Sequence, residues 1–189
     1  MTKPLFILAS ASPRRLALLQ DIGITPDRVV PADADETPQP RELPRQLARR
    51  LAIAKRAAVM KREPDGIILA ADTVVACGRR LLPKAETRDD VRNCLKLLSG
   101  RRHHVYTALA LRGPKGTLHE RLCESTVIFH VLSNEDIEAY AACGEGLGKA
   151  GGYAIQGTAA AHIRYISGSY SNIVGLPLFE VAQMLRGWQ

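Results

Sequence analysis

At 189 residues and 46% apolar, the chain is long enough to bury one hydrophobic core, and it is read as a single domain over residues 1–189. The apolar run Leu5 to Ala9 is too short for a signal-peptide core, and no run nears the roughly 18 apolar residues of a membrane span. This argues against secretion and a membrane partner, and a cytoplasmic protein is expected. With 26 basic against 19 acidic residues, the net charge of +7 favours polyanionic partners without choosing among nucleotides, nucleic acids and lipids. Cys77, Cys94, Cys123 and Cys143 lie far apart with no C-x-x-C pair, so they suggest neither zinc site nor disulfide framework and read as reduced, mostly buried thiols.

In chain order, Leu5 to Ala9 reads as a short buried strand, and Ser12-Pro13 as an N-cap followed by proline at the first helical position. The helix runs to about Ile22, where Gly23 terminates it. Arg28 to Pro31 is a second short strand, and the proline- and acid-rich stretch Ala32 to Pro44 is a loop. A basic helix follows between Arg41 and Arg62, with Leu43, Leu47, Leu51, Ala54 and Ala58 as its apolar stripe. Its charges read better as a solvated helix face than as a nucleic-acid surface. Ile67 to Ala71 is apolar and ends in Asp72-Thr73, with Val74 to Cys77 extended beyond, which places a carboxylate at a strand end or bend.

Val91, Leu95 and Leu98 predict a helix from Thr87 to Leu98, closed by Gly100. Val105 to Arg112 and Arg121 to Leu132 are strands joined by the turn Gly113-Pro114-Lys115-Gly116. Ser133 caps a helix to Ala142, with Asp136 at its third position. A glycine-rich segment, Gly144 to Gly157, and a last helix, Leu176 to Leu185, complete the chain. Early alternation of strands and helices with a hairpin in the middle predicts an α/β fold around a mixed sheet.

Gly146-Leu147-Gly148-Lys149-Ala150-Gly151 matches G-x-G-x-x-G but follows a helix instead of opening a strand-to-helix turn, so it is not read as a dinucleotide site. Gly148-Lys149 lacks the rest of a Walker A loop, and the five histidines show no metal-ligand spacing. One constellation survives. Ser10-Ala11-Ser12-Pro13-Arg14-Arg15 puts hydroxyls, helix-terminal amides and two guanidinium groups within one turn, which suits a phosphate chain as well as it suits an ordinary cap with surface arginines. Lys55 falls on the apolar side of the basic helix, where it is either snorkelling or functional. Asp72-Thr73, Asp35-Glu36 and Lys84 supply two acidic clusters and a cation, the minimum for a divalent metal beside a triphosphate. In Lys149 to Gly157, small residues allow close backbone approach and Gln156 can both donate to and accept from a base edge.

Taken together, Leu8 to Arg15, Ala71 to Val75, Leu97-Leu98-Ser99-Gly100, Lys149 to Gly157, and Gly168-Ser169-Tyr170 with Val174 to Leu178 resemble the Maf-type nucleoside triphosphate pyrophosphatases, in the family's order and across almost the whole chain. The resemblance implies an α/β fold with a central mixed, twisted sheet, flanking helices and two lobes around a cleft, related to the inosine triphosphate pyrophosphatases. It also implies a divalent metal, magnesium or manganese, and a homodimer. Carried over by position, Ser10, Arg14, Arg15, Lys55 and Lys84 would handle phosphate, with Ser12 and Lys149 beside them. Asp72 would accept the proton and, with Asp35 and Glu36, hold the metal. Arg14, Thr73 and Gln156 would govern substrate choice, and Gly-Tyr-Ala-Ile-Gln-Gly is like the branch acting on dTTP and UTP. Pro83-Lys84-Ala85 departs from the family's Lys-Pro pair, and Gly148 from its Asp. The alternatives are a house-cleaning enzyme for modified pyrimidine nucleotides and, from another class, a non-catalytic nucleotide or nucleic-acid binding regulator of cell division.

Overall fold

The computed structural model describes residues 4–186. Among these, seven strands form one open mixed sheet: β1 (Phe6–Ala9), β2 (Arg28–Val29), β3 (Ile67–Cys77), β4 (Arg80–Leu82), β5 (Arg102–Arg112), β6 (Leu118–Phe129) and β7 (Ile163–Ser167). Their order is β2-β1-β3-β5-β6-β7, with β4 paired to β3. The β1 strand is parallel to both neighbours, whereas β3, β5, β6 and β7 run antiparallel in succession.

Helices α1 (Pro13–Asp21), α2 (Pro44–Met60), α3 (Arg88–Leu98), α4 (Asn134–Cys143), α5 (Tyr170–Val174) and α6 (Leu178–Leu185) flank the sheet. Strand periodicity divides β3 between the two faces of the sheet. Ile67, Leu69, Ala71 and Val75 join the larger cluster with α1, α3, α4 and α6, while Ile68, Ala70, Val74 and Ala76 face the stripe of α2. The basic side of α2 is paired with carboxylates: Arg45 with Glu124, Arg49 and Arg56 with Glu120, and Arg50 with Glu42.

The hairpin, α3, and α4 with its Ser133–Asp136 capping box match the expected elements; α3 has a Thr87–Asp90 box besides, and Ser12 stands at the N-cap of α1 without a side-chain cap bond. Other elements differ. Asp72 lies in the interior of a continuous 11-residue strand, not at its end or at a bend. Of the cysteines only Cys94 is buried; all four are free, and Cys143 is exposed. Strands β4 and β7 and helix α5 escape the periodicity because they are short, and the exposed β7 carries no apolar alternation. The last helix starts at Leu178, since Pro177 occupies its N-cap and Leu176 is buried before it.

Candidate functional site

The sheet opens where β1 stops. Ala9 pairs with Ala70, and β4 takes over the same edge of β3 only from Val75, so Asp72 and Thr73 stand in a gap between two partners. Ser10 to Arg15, the loop and first turn of α1, cross that gap at the carboxyl end of a parallel strand, the usual place for ligands in open α/β sheets. A cleft of about 470 Å³ forms there, within the usual range for small-molecule sites. It is lined by Ser10, Ser12, Arg14, Arg15, Glu36, Lys55, Asp72, Thr73, Lys84, Lys149 and Gln156, among others.

Five of these side chains are basic and two acidic, so the lining has an excess of three positive charges. Burial lowers the Arg14 guanidinium pKa, and burial followed by the nearby Arg14 charge lowers that of Lys149. Arg14 has no hydrogen-bond partner among the described residues. An anion entering between these groups would relieve both costs, and the first-turn amides of α1 are further donors for it.

Arg15 is committed differently. Its Nε donates to the Gly175 carbonyl at 2.8 Å, Nη1 to Ser10 Oγ at 3.2 Å and Nη2 to Thr73 Oγ1 at 3.2 Å. It clamps the end of β1, the middle of β3 and the turn after α5, while Arg14 beside it remains available. Thr73 continues inward through Thr107 Oγ1 at 2.9 Å, and Thr107 donates to the Asn172 carbonyl at 3.1 Å.

On the opposite face of β3, Asp72 is only 6% exposed and meets Lys55, 9% exposed, from α2. Lys55 Nζ donates to Asp72 Oδ1 at 2.5 Å and to Glu36 Oε1 at 2.6 Å, and Lys84 Nζ reaches Glu36 Oε2 at 2.9 Å. Burial pushes the Asp72 carboxyl above its ordinary pKa, and the charge and hydrogen bond of Lys55 offset this only in part. For Glu36, burial also acts upward, but the hydrogen bonds from Lys55 and Lys84 outweigh it and hold the carboxyl at about 2. Two carboxylates sharing one ammonium therefore have opposite proton affinities, one suited to gaining a proton and the other to staying ionised.

Asp35 takes no part in the lining: it is exposed and its Oδ1 accepts from the Thr37 amide at 2.9 Å. Asp72 and Glu36 fit a divalent cation better, since both reach one nitrogen and both offer the oxygen donors that magnesium and manganese prefer. Lys84 lines the cleft, where Lys84 and Ala150 form an antiparallel bridge and the Ala85 amide donates to the Lys149 carbonyl at 3.1 Å. The same bridge draws the glycine-rich segment over the cleft, where Gly151 and Gly152 adopt φ of +76° and +68°. Tyr153, Ile155, Val105, Ile173 and the exposed Gln156 add an apolar wall with one amide. Of these, Val105 and Ile173 had no signal as site residues in the sequence, because β5 and α5 approach the cleft only in three dimensions.

A cationic cleft over a buried carboxylate, at the open end of a parallel strand, defines an α/β protein built to handle phosphorylated small molecules. The chain belongs to the family described as Maf-like protein, which it matches over residues 5–188. It is 61% identical over 190 residues to a dTTP/UTP pyrophosphatase of Gluconobacter oxydans (strain 621H), covering 98% of this chain and 87% of that one. A protein of the same name from Paramagnetospirillum magneticum (strain ATCC 700264 / AMB-1) is 59% identical over 182 residues, covering 96% of each chain. Another from Rhodopseudomonas palustris (strain HaA2) is 56% identical over 191 residues, with coverage of 98% and 92%.

Proposed function

We propose that this chain hydrolyses nucleoside triphosphates to the monophosphate and pyrophosphate, with dTTP and UTP, or modified pyrimidine nucleotides, as substrates. The observation that carries the reading is the convergence of Arg14, Lys55, Lys84 and Lys149 on a cleft whose buried carboxylate, Asp72, has a raised proton affinity. The substrate class rests on the relatives' names and on the single amide of Gln156 beside an apolar wall.

Asp72 accepts a proton from water as the water oxygen bonds to the α-phosphorus and the bond to the bridging oxygen of the departing pyrophosphate breaks. Lys55 keeps the Asp72 oxygen in place, and Arg14, Lys84 and Lys149 take up the charge of the phosphate chain. Arg15, with Ser10 and Thr73, fixes the wall against which the chain lies. A magnesium or manganese ion held by Asp72 and Glu36 would supply further neutralisation of phosphate charge.

The reading also carries a cytoplasmic location and a homodimer. No helix among the described residues is long and apolar enough to cross a membrane, and Tyr165 and Ile166, exposed on the edge strand β7, are apolar residues that a second copy would cover.

The test is pyrophosphate release with magnesium or manganese across dTTP, UTP, CTP, 5-methyl-UTP, ATP, GTP and 7-methyl-GTP, with Asp72→Asn as control. Turnover selective for uracil and thymine nucleotides, and lost in the control, is expected. Stoichiometric binding with no pyrophosphate formed would instead place the chain among non-catalytic regulators.

A further inference from the structure

Away from the cleft, the chain continues past the end of β6 as His130, whose backbone N–H donates to the His162 carbonyl at 3.0 Å and whose own carbonyl accepts from Gly100 at 2.9 Å. The two histidines, 32 residues apart, are thereby fixed side by side, with rings stacked at 5.3 Å and 18°. His130 Nε2 and His162 Nδ1 stand 3.1 Å apart. Asp136, at the third position of α4, brings a carboxylate oxygen to them, so that one donor atom from each residue lies within 4.8 Å of the other two. That carboxylate is itself oriented, since Oδ2 accepts from the Ser133 amide at 2.9 Å.

We propose that His130, Asp136 and His162 form a binding site for a transition-metal cation of the zinc class, separate from the cationic cleft around Asp72. Two nitrogens bound to one tetrahedral zinc at about 2.0–2.1 Å stand roughly 3.3 Å apart, close to the spacing already present. A modest approach of the Asp136 side chain completes three ligands and leaves a fourth position for water. Two imidazoles and a carboxylate select zinc, cobalt or nickel over magnesium. The Ser133 amide supplies the outer-sphere orientation that such a carboxylate ligand ordinarily has. Binding requires the proton shared between the two facing nitrogens to leave, so that both lone pairs meet the metal. The ion would fasten the corner between β6 and α4 to the short 3-10 segment Thr158–His162, which directly follows the stretch carrying Gln156.

The experiment uses the untagged chain, stripped with a chelator and kept in excess magnesium so that the catalytic carboxylates are occupied. Zinc is titrated by calorimetry and cobalt by its visible spectrum, in the wild type and in His162→Gln, Asp136→Asn and Cys143→Ser, each checked by its thermal melt without metal. One equivalent of zinc is expected to bind with Kd on the order of 1 µM or tighter in the wild type and in Cys143→Ser. His162→Gln and Asp136→Asn should each weaken it by about tenfold or more. Zinc should raise Tm only where it binds, and cobalt should give a tetrahedral spectrum. Absence of stoichiometric binding, equal affinity in His162→Gln, or loss of binding only in Cys143→Ser would each overturn the proposal.

Discussion

Lys55 and Asp72 form an almost buried ion pair at 2.5 Å that joins α2 to the open edge of β3. Removing one partner from such a pair costs far more than the pair itself contributes, because the other charge is left without compensation. In Lys55→Met the Asp72 carboxyl should rise further in pKa, so the acid limb of kcat/KM moves to higher pH and kcat falls by about 100-fold or more. The sign for stability follows from linkage: a carboxyl whose folded pKa is raised binds more protons folded than unfolded. The variant should therefore lose most stability above neutrality and recover towards the wild type as pH falls to about 4. A pH series of kinetics and of denaturant unfolding measures both.

His103 provides a second pH effect, from behind Tyr153 in the wall of the cleft. It is fully buried, its Nε2 pairs with Tyr153 Oη at 2.8 Å, and its Nδ1 has no partner. Burial, with the nearby His104, lowers its pKa to about 4 from the ordinary 6.5. Between those values the unfolded chain takes the proton and the folded one does not, so the stability due to neutral His103 is complete above pH 6.5 and lost as pH falls through 4. The loss amounts to about 3 kcal/mol. In His103→Gln the difference in unfolding free energy between pH 7.5 and 4.5 should be smaller than in the wild type by on the order of 2 kcal/mol. An unchanged difference would show that other groups carry the acid sensitivity.

Gln156→Glu replaces a side chain that donates and accepts with one that, when ionised, only accepts. Uracil and thymine offer a carbonyl next to an N–H, and cytosine offers an amino group next to a bare nitrogen. The ratio of kcat/KM for UTP over CTP should fall by about tenfold, with pyrophosphate release from the preferred base much less affected. An unchanged substrate ranking would remove Gln156 from base reading.

Gly175 holds φ of +128° and presents its carbonyl to Arg15. A Cβ there meets Thr73 Oγ1 and Arg15 only at ordinary contact distances of 3.5 and 3.7 Å, so the cost of Gly175→Ala comes from the backbone. A penalty of about 1–2 kcal/mol lowers Tm by roughly 2–8 °C in a chain of this size. Displacement of Arg15 should raise KM more than it lowers kcat.

The glycine-rich segment, the Ser133 cap of α4 and the central hairpin were legible because each is written in contiguous residues, whereas Ser12, read as the cap of α1, holds the N-cap position without a side-chain cap bond. Lys55 was also legible, since a lysine on an apolar stripe is conspicuous by periodicity alone. The pairing of Lys55 with Asp72 was not, and neither was the division of labour between Arg14 and Arg15. Adjacent arginines are identical as sequence, and only the partners the fold brings together, Ser10, Thr73 and the Gly175 carbonyl 160 residues on, decide that Arg15 is the one clamped.

The sequence by itself determined the family, the longer elements and most of the charged groups of the cleft, because hydrophobic period and local hydrogen bonding act over a few residues. Tertiary structure alone decided that Asp72 stands in a strand interior, that Asp35 stays outside while Glu36 enters, and that His130 meets His162. Those choices depend on where β1 ends relative to β3 and on which loops the sheet brings together. Their physical basis is contact and burial between distant segments, which sets charge, proton affinity and access and leaves no periodic trace in the chain.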